Sequence, residues 1–375
     1  MIYLDNSATT QTRKEVADFV AKYSVENFFN PSSVYQPAIK VKIDLDFARK
    51  SILRMLNAES NGKVIFTGSA TEANNLVLNG LVKKNKKILI SAGEHPSIYE
   101  TAKNLENQGY KIGYISLNSD STVNLADLES QMDKNVCLVS IMHVSNETGA
   151  INDLGAISRI VKSKNPNCLL HSDGVQAFGK LRVNVSRDKI DLYTISSHKI
   201  HGPKGVACLY LGKKVNLKPQ ILGGGQEYGL RSGTENPAGI MGFIFASNIM
   251  CNDMQKRNDY IRKLKQHFIN ELANTDLEYQ INAKDAITLD NILSISFFGV
   301  RGEVLLHSLE KYEIYVSTGS ACSSKHIGNR VLAKMGLTPE QMQGNIRFSF
   351  SEFTTMQDID NTIKALEQEI QMLKD

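Results

Sequence analysis

From about residue 60 onward, short β-rich runs and amphipathic helical patterns take turns, and this alternation restricts the chain to few folds. The run 64–67 precedes a helical pattern from Thr71 to Lys84, and 87–90 precedes one from Ser97 to Gln108. The run 111–117 leads to a helical stretch around 125–132, and 136–143 leads to one over 153–163. Further strands are expected at 168–171, 190–195 and 205–211. Parallel strands need a long crossover, usually a helix, so this order predicts an α/β fold with a mostly parallel central sheet and helices on both faces. A helical region from about Pro237 through Leu272 is read as the joint to a smaller C-terminal α/β unit that ends in a helix over 358–373. At 375 residues the chain is expected to hold about two units of ~150 residues each. The expected division is a large domain at 15–258 and a small one at 259–375, with segment 1–14 packing on the latter.

Sheets of this kind bind ligands beyond the carboxyl ends of their strands. Those ends read Gly68-Ser69-Ala70-Thr71-Glu72, Glu94-His95, His143 through Asn146-Glu147, Asp173-Gly174-Val175-Gln176 and Ser196-Ser197-His198-Lys199. Polar and titratable residues thus gather at one edge of the expected core, which marks a site. Gly68–Thr71 opens a helix after a strand, so its N–H groups suit a phosphate, although a Ser or Thr helix cap explains the same residues. Neither a P-loop lysine nor a G-x-G-x-x-G run accompanies it. A desolvated Lys199 would be a nucleophile toward a carbonyl, and a solvated charge is its ordinary reading. Asp173 would pair with a pyridinium nitrogen or serve as a turn residue. His95 would stack on a planar ring and move protons, or sit as a satisfied core histidine. Taken together, an Asp, a Lys and a phosphate cradle form the minimum set for pyridoxal phosphate.

The formal net charge of +4 is too even to argue for nucleic acid or a membrane surface. The most apolar stretch, 237–251, is interrupted by Ser247 and Asn248 and falls short of the ~20 residues of a membrane span. Met1 leads directly into Ile2-Tyr3-Leu4-Asp5 without an export signal, so a cytoplasmic location is expected. The five cysteines include no C-x-x-C pair, and neither a disulfide framework nor a metal site is expected. Cys137, Cys168, Cys208 and Cys251 lie in apolar runs and read as core residues. Cys322 lies in the small polar run 317–324 and is the candidate reactive thiol. The lysine-rich Lys83-Lys84-Asn85-Lys86-Lys87 reads as a solvated loop or as a guide for an acidic acceptor.

The chain resembles the cysteine desulfurases of the NifS/IscS type, fold-type I pyridoxal phosphate enzymes of the class V aminotransferase family, along nearly its whole length. The motifs that carry the likeness are Tyr3 through Thr10, Asn30-Pro31-Ser32-Ser33, Ala70 through Asn75, Glu94-His95, Asn146-Glu147-Thr148-Gly149 and His171 through Gln176. Ser197 through Gly205, Arg231 through Asn236, Gly319-Ser320-Ala321-Cys322 and Ile346-Arg347-Phe348-Ser349 complete the series. The resemblance implies Lys199 as the lysine that bonds the cofactor, Asp173 as partner of its ring nitrogen and Gln176 as partner of its phenolate oxygen. His95 would stack on the ring as the acid–base group. Thr71, Ser196 and His198 would hold the phosphate, with Thr234 reaching in from the other subunit of a homodimer, and Ala70 and Ser197 would also contact the cofactor. Asn146 and Arg347 would bind the substrate carboxylate, and Asn146 would also touch the cofactor. Cys322 would take sulfur from L-cysteine as a persulfide, leaving L-alanine. A cluster scaffold or a tRNA-thiolation enzyme would then accept the sulfur, without direct contact to nucleic acid.

A selenocysteine lyase, another class V aminotransferase-like enzyme and a non-enzymatic sulfur-relay scaffold are the alternatives. Departures from the family pattern are Tyr35 where His is common, Leu222 before the triple glycine, Tyr228 where Arg is frequent, and a shortened segment after Cys322. The chain stops soon after Leu373, so weak or different docking of a cluster scaffold is expected.

Overall fold

The structure is a computed structural model, and it describes residues 1–318 and 330–374. The chain starts with strand β1 (Ile2–Tyr3) and helices α1 (Lys14–Glu26) and α2 (Gln36–Met55). There follow β2 (Lys63–Thr67), α3 (Ala70–Leu81), β3 (Lys87–Ser91), α4 (Pro96–Asn107), β4 (Lys111–Ile115) and α5 (Leu125–Gln131). Next come β5 (Val136–Ser140), α6 (Leu154–Lys164), β6 (Leu169–Asp173), β7 (Leu192–Ser196) and β8 (Ala207–Leu211).

These seven strands, β2 to β8, form one sheet in the order β2-β8-β7-β6-β5-β3-β4. Its pairings are parallel except those of β8, which runs against both neighbours. The exception has a local cause. No α-helix separates β7 from β8, so the chain turns back within ten residues instead of crossing over. Both sheet faces are buried, and side chains alternate between them with period two. Val64, Phe66, Leu89, Val139, Leu170 and Ile195 face a core shared with α2, α6 and α7, a helix over Pro237–Asn252. Ile65, Ile88, Ile90, Leu138, Leu192 and Leu209 face the core under α3 and α4.

The helical region expected to run unbroken to Leu272 divides at Asp253, where α8 (Met254–Ala273) begins. Arg257 explains the break, because its guanidinium donates to the carbonyls of Met250 at 2.8 Å and Ile249 at 3.1 Å. It thereby satisfies the last turn of α7 from the next helix.

Beyond α8 lie β9 (Tyr279–Ile281), β10 (Ile292–Phe297), α9 (Gly302–Leu309), β11 (Ile314–Tyr315), α10 (Arg330–Lys334), α11 (Pro339–Gln343), β12 (Asn345–Ser349) and α12 (Met356–Lys374). An antiparallel three-stranded sheet, β12-β10-β9, packs on α8 and α12 through Leu264, Phe268, Leu366 and Ile370. Leu4 belongs to that same core, and β1 pairs in parallel with β11. The next residues continue toward the large sheet, where Thr10 donates to the His198 carbonyl through both its backbone N–H and its hydroxyl. Among the described residues, no helix is long and apolar enough to cross a membrane.

Of the five cysteines, Cys168 and Cys208 are buried in the large core, and Cys137 and Cys251 are partly buried against it. Burial pushes all four thiols up, Cys168 to about 12, which leaves little thiolate at neutral pH. The fifth, Cys322, lies outside the described residues.

Candidate active site

The carboxyl ends of β2, β3, β6 and β7 meet on one side of the large sheet. Ala207 is in register with both Thr67 and Ser196, and Asp173 with Thr194, so these strand ends form one row. Four groups along this edge form a chain of hydrogen bonds. Asp173 Oδ2 accepts from Asn74 Nδ2 at 2.8 Å, and the same nitrogen donates to Ser97 Oγ at 2.9 Å. Ser97 Oγ stands 2.9 Å from His95 Nδ1, which also accepts the Ser97 backbone N–H at 3.2 Å. An imidazole nitrogen that accepts an N–H carries no proton itself, so the proton of neutral His95 is on Nε2. Burial holds the His95 pKa below its ordinary value, with the charge of Lys199 acting in the same direction and that of Asp173 opposing it. His95 thus senses both groups.

Asp173 completes its bonding through Oδ1, which accepts from the Val175 N–H at 3.0 Å. The glycine between them is sterically required. A Cβ on Gly174 would stand 2.0 Å from Cζ of the fully buried Tyr193, whose hydroxyl bonds His143 Nδ1 at 2.7 Å. Gly174→Ala is expected to cost about 3 kcal/mol, the upper part of the overpacking range, because the ring has no space to retreat. A thermal melt of the purified variant measures this. An unchanged Tm would show that the Tyr193 ring yields freely.

Lys199 follows β7 in a single tight turn, Ser197–Lys199. Its Nζ donates to the carbonyl oxygens of Ser7 and Ala8, the latter at 2.7 Å. Gln176 reaches the same segment, its Nε2 donating to Ser7 O at 2.9 Å. His198 Nδ1 lies 3.1 Å from Thr9 Oγ1, and burial followed by the charge of Lys199 lowers its pKa to about 4. Ser196 and Ser197 are buried, and Ser197 Oγ has no hydrogen-bond partner.

At the start of α3 the helix cap is Ser69, whose hydroxyl accepts from the Glu72 N–H at 3.1 Å. Ala70 and Thr71 therefore open the helix with Thr71 exposed, and their amides stand at its positive end. Glu72 is tied elsewhere, accepting from Gly68 N and Arg231 Nε, each at 2.8 Å. Thr234 is exposed and lines a cavity of about 150 Å³ with Thr67, Gly68 and Arg231.

Arg347, on β12, is almost fully buried. Nη1 donates to Asn146 O at 2.8 Å, Nη2 pairs with Asp5 Oδ1 at 2.8 Å, and Nε has no partner. The structure thus joins Asn146 to Arg347 through the Asn146 backbone.

Two residues at this edge, Ser97 and Arg330, escaped the sequence reading, and Asn74 entered it only within the Ala70–Asn75 motif, with no role. Asn74 and Ser97, the links between Asp173 and His95, sit in helices and carry no spacing signal. Arg330 opens α10, donates to the carbonyls of Ala92 and Glu94 on either side of the β3–α4 turn, and lies 3.8 Å over the Tyr99 ring. It braces the turn that carries His95. The buried Glu94 carboxyl accepts from Met142 N at 2.7 Å, and burial pushes its pKa well above the usual range.

Pyridoxal phosphate is tested against this donor set by what each part requires. A ring N–H needs a buried carboxylate, which Asp173 supplies, and an aldehyde needs an amine, which Lys199 supplies. A phosphate needs hydrogen-bond donors, and the free amides at the α3 start supply them. The residues fit the group.

The family model described as aminotransferase class-V matches residues 2–362. "Cysteine desulfurase IscS" of Buchnera aphidicola is 39% identical over 100% of this chain and 93% of its own length. "Cysteine desulfurase IscS 1" of Archaeoglobus fulgidus is 35% identical over 100% of this chain and 98% of its own. Among solved structures, a "NIFS-LIKE PROTEIN" superposes with a TM-score of 0.92 at 34% identity, covering 99% of both chains. A NifS-like protein from Rickettsia africae gives 0.90 at 33% identity, again covering 99% of both.

Proposed function

We propose that this chain, which belongs to the class-V aminotransferase family, is a pyridoxal phosphate-dependent cysteine desulfurase of the NifS/IscS type. The observation that carries the reading is the hydrogen-bonded chain from Asp173 through Asn74 and Ser97 to His95, with His95 also sensing the charge of Lys199. Such an arrangement suits a planar cofactor held between a carboxylate, an imidazole and an amine.

Bound pyridoxal phosphate supplies an electron sink for the pair left at Cα when its proton departs. The chain's own residues supply the rest. Lys199 Nζ, drawn off the Ser7 and Ala8 carbonyls, takes and returns the Cα proton. Asp173 holds a proton on the ring nitrogen. His95 offers Nε2–H, its orientation set by the Ser97 N–H on Nδ1. The amides of Ala70 and Thr71, with Ser196, Ser197 and His198, bind the phosphate, and Thr234 adds to them from the second subunit. Arg347 receives the substrate carboxylate, with Asn146 beside it. Cys322 attacks the substrate sulfur as thiolate. The substrate C–S bond breaks, an S–S bond forms on Cys322, Cβ gains a proton, and L-alanine leaves.

A homodimer accords with the exposed apolar side chains on one stretch of the chain. Phe28 stacks on Phe29 at 4.3 Å, and Phe29 meets Tyr35 edge-on at 6.0 Å. Val34, in the same stretch, is 89% exposed, and Leu222, remote from it in sequence, is 80% exposed. Patches of this kind mark association surfaces. Two departures from the family pattern, Tyr35 and Leu222, thus belong to the exposed apolar set. A third, Tyr228, lies under the Arg49 guanidinium at 5.4 Å. The cytoplasm is the proposed location, and a cluster scaffold or tRNA-thiolation enzyme the proposed acceptor.

Cys322→Ala tests the reaction. The variant is expected to retain a near-visible band after loading with pyridoxal phosphate, and to show the same spectral response to L-cysteine. Persulfide formation and sulfide release under a reductant are expected to vanish. An aminotransferase would keep amino-group transfer to a keto acid in this variant and make no persulfide as wild type. Persulfide formation at the wild-type rate in Cys322→Ala would remove Cys322 from the reaction.

A further inference from the structure

Gln176 is held at both ends of its amide. Nε2 donates to Ser7 O at 2.9 Å, and Oε1 accepts from Lys180 Nζ at 3.2 Å. A backbone carbonyl can only accept and an ammonium can only donate, so these two partners fix which end of the carboxamide points where. Lys180 is only 8% exposed, an unusual location for a lysine. Its main chain is anchored as well, the carbonyl accepting from Asn258 Nδ2 at 2.7 Å.

Lys180 and Lys199 line one cavity of about 30 Å³, together with Asn6, Thr10, His201 and Arg257. That volume holds a water or two. The charged and titratable groups around Lys180 are Lys199, His198, His201 and Arg257, and Asp290 and Glu352 line the same cavity, Glu352 paired with Arg257 at 3.2 Å. Burial, followed by the charge of Lys199, brings the Lys180 pKa down to about 7. Lys180 Nζ donates to Oε1 whether charged or neutral, and only the ammonium is unable to accept in return.

With Oε1 accepting from Lys180 and one Nε2 hydrogen committed to Ser7, the donor that Gln176 has left is its second N–H. A flipped amide would instead present a lone pair to the site, place Nε2 against a donor-only ammonium and set Oε1 against the Ser7 carbonyl. Both contacts would be repulsive.

We propose that Lys180 is a positioning residue whose ammonium locks the Gln176 carboxamide, so that the site receives an N–H donor that favours an oxyanion on the bound cofactor. This rests on the reading of Gln176 as the partner of the phenolate oxygen. Removing the lock weakens that donor while Asp173, Lys199 and His95 keep their hydrogen bonds, and the double variant separates this from the lost Lys180 charge.

The test follows the near-visible absorbance of the pyridoxal phosphate-loaded protein against pH in wild type, Lys180→Met, Gln176→Leu and the double variant. Lys180→Met is expected to raise the midpoint of the absorbance change by about one pH unit, a tenfold change in proton affinity. Gln176→Leu is expected to raise it similarly, and the double variant no further than Gln176→Leu alone. If Lys180→Met leaves the midpoint in place while Gln176→Leu moves it, Lys180 does not position Gln176. Shifts that add in the double variant overturn the proposal too, since Lys180 would then act only as a charge at a distance. An unmoved midpoint in Gln176→Leu defeats the phenolate reading, and the proposal falls with it. Should Lys180→Met fail to fold or load, Lys180→Arg decides, because it keeps a donor-only cation. Wild-type midpoints in that variant and in Lys180→Gln, which keeps an N–H donor without the charge, support the lock, and a midpoint raised in either overturns it.

Discussion

Lys199→Ala is expected to reduce turnover of L-cysteine by ~10⁴-fold or more while the chain remains folded. Proton transfer by a positioned side chain contributes roughly 10²–10⁴-fold, and loss of the covalent anchor for the cofactor adds to that. The fold should survive because the side chain is only partly buried and its two acceptors, the carbonyls of Ser7 and Ala8, sit at the site edge where water can replace it. Alanine release gives the rate, and a thermal melt reports the fold. Cofactor retained after dialysis separates the roles, since wild type should keep its near-visible band and the variant should lose it. Turnover within tenfold of wild type would exclude Lys199 from the chemistry.

Asp173→Asn is expected to have the second largest effect, a loss of about two to four orders of magnitude in kcat/KM. In the proposed site Asp173 pairs with the protonated ring nitrogen, and breaking such a buried pair on one side costs about 3–5 kcal/mol, each 1.36 kcal/mol being tenfold in rate. The substitution is nearly isosteric, so the Val175 N–H keeps an acceptor if the new amide oxygen takes the Oδ1 position. Its NH₂ then faces Asn74 Nδ2, donor against donor, where Oδ2 now accepts at 2.8 Å. The strain passes along the Asn74–Ser97 links toward His95. Two readouts distinguish electronics from packing. Asn74→Asp in the Asp173→Asn background restores an acceptor at Asn74 but not the charge at position 173. If that double variant regains wild-type turnover, the carboxylate charge of Asp173 is not what the reaction uses.

The strand–helix alternation was legible because both sheet faces are buried, so apolar runs at 64–67, 87–90 and 136–143 stand out between polar turns. The site edge was legible for the same reason: residues just past a buried strand that are polar have few structural excuses. What was not legible depends on contacts distant in sequence. Asn74 meets Ser97 and Asp173, 23 and 99 positions away. Arg330 reaches back 236 positions to the Glu94 carbonyl. The antiparallel direction of β8 came from a missing crossover rather than from its own residues, which read like any other buried strand. The break at Asp253 was hidden because Arg257 supplies the cap from outside α7, where local capping signals do not reach.

Residues 2–10 tie the lysine turn to Arg347, which stands 342 positions beyond Asp5. Ile2 pairs with Ile314, Asp5 grips Arg347, and Ser7 and Ala8 receive the Lys199 amine. Synthesis delivers these partners in reverse order of need. The segment emerges first, its strand partner β11 follows about 300 residues later, and Arg347 later still. The large sheet can therefore be complete on the ribosome, with Thr10 already on the His198 carbonyl, while Asp5 still lacks Arg347 and Ile2 still lacks β11. The catalytic edge would be assembled as a late event in the life of the nascent chain, after the last strand of the small sheet has arrived.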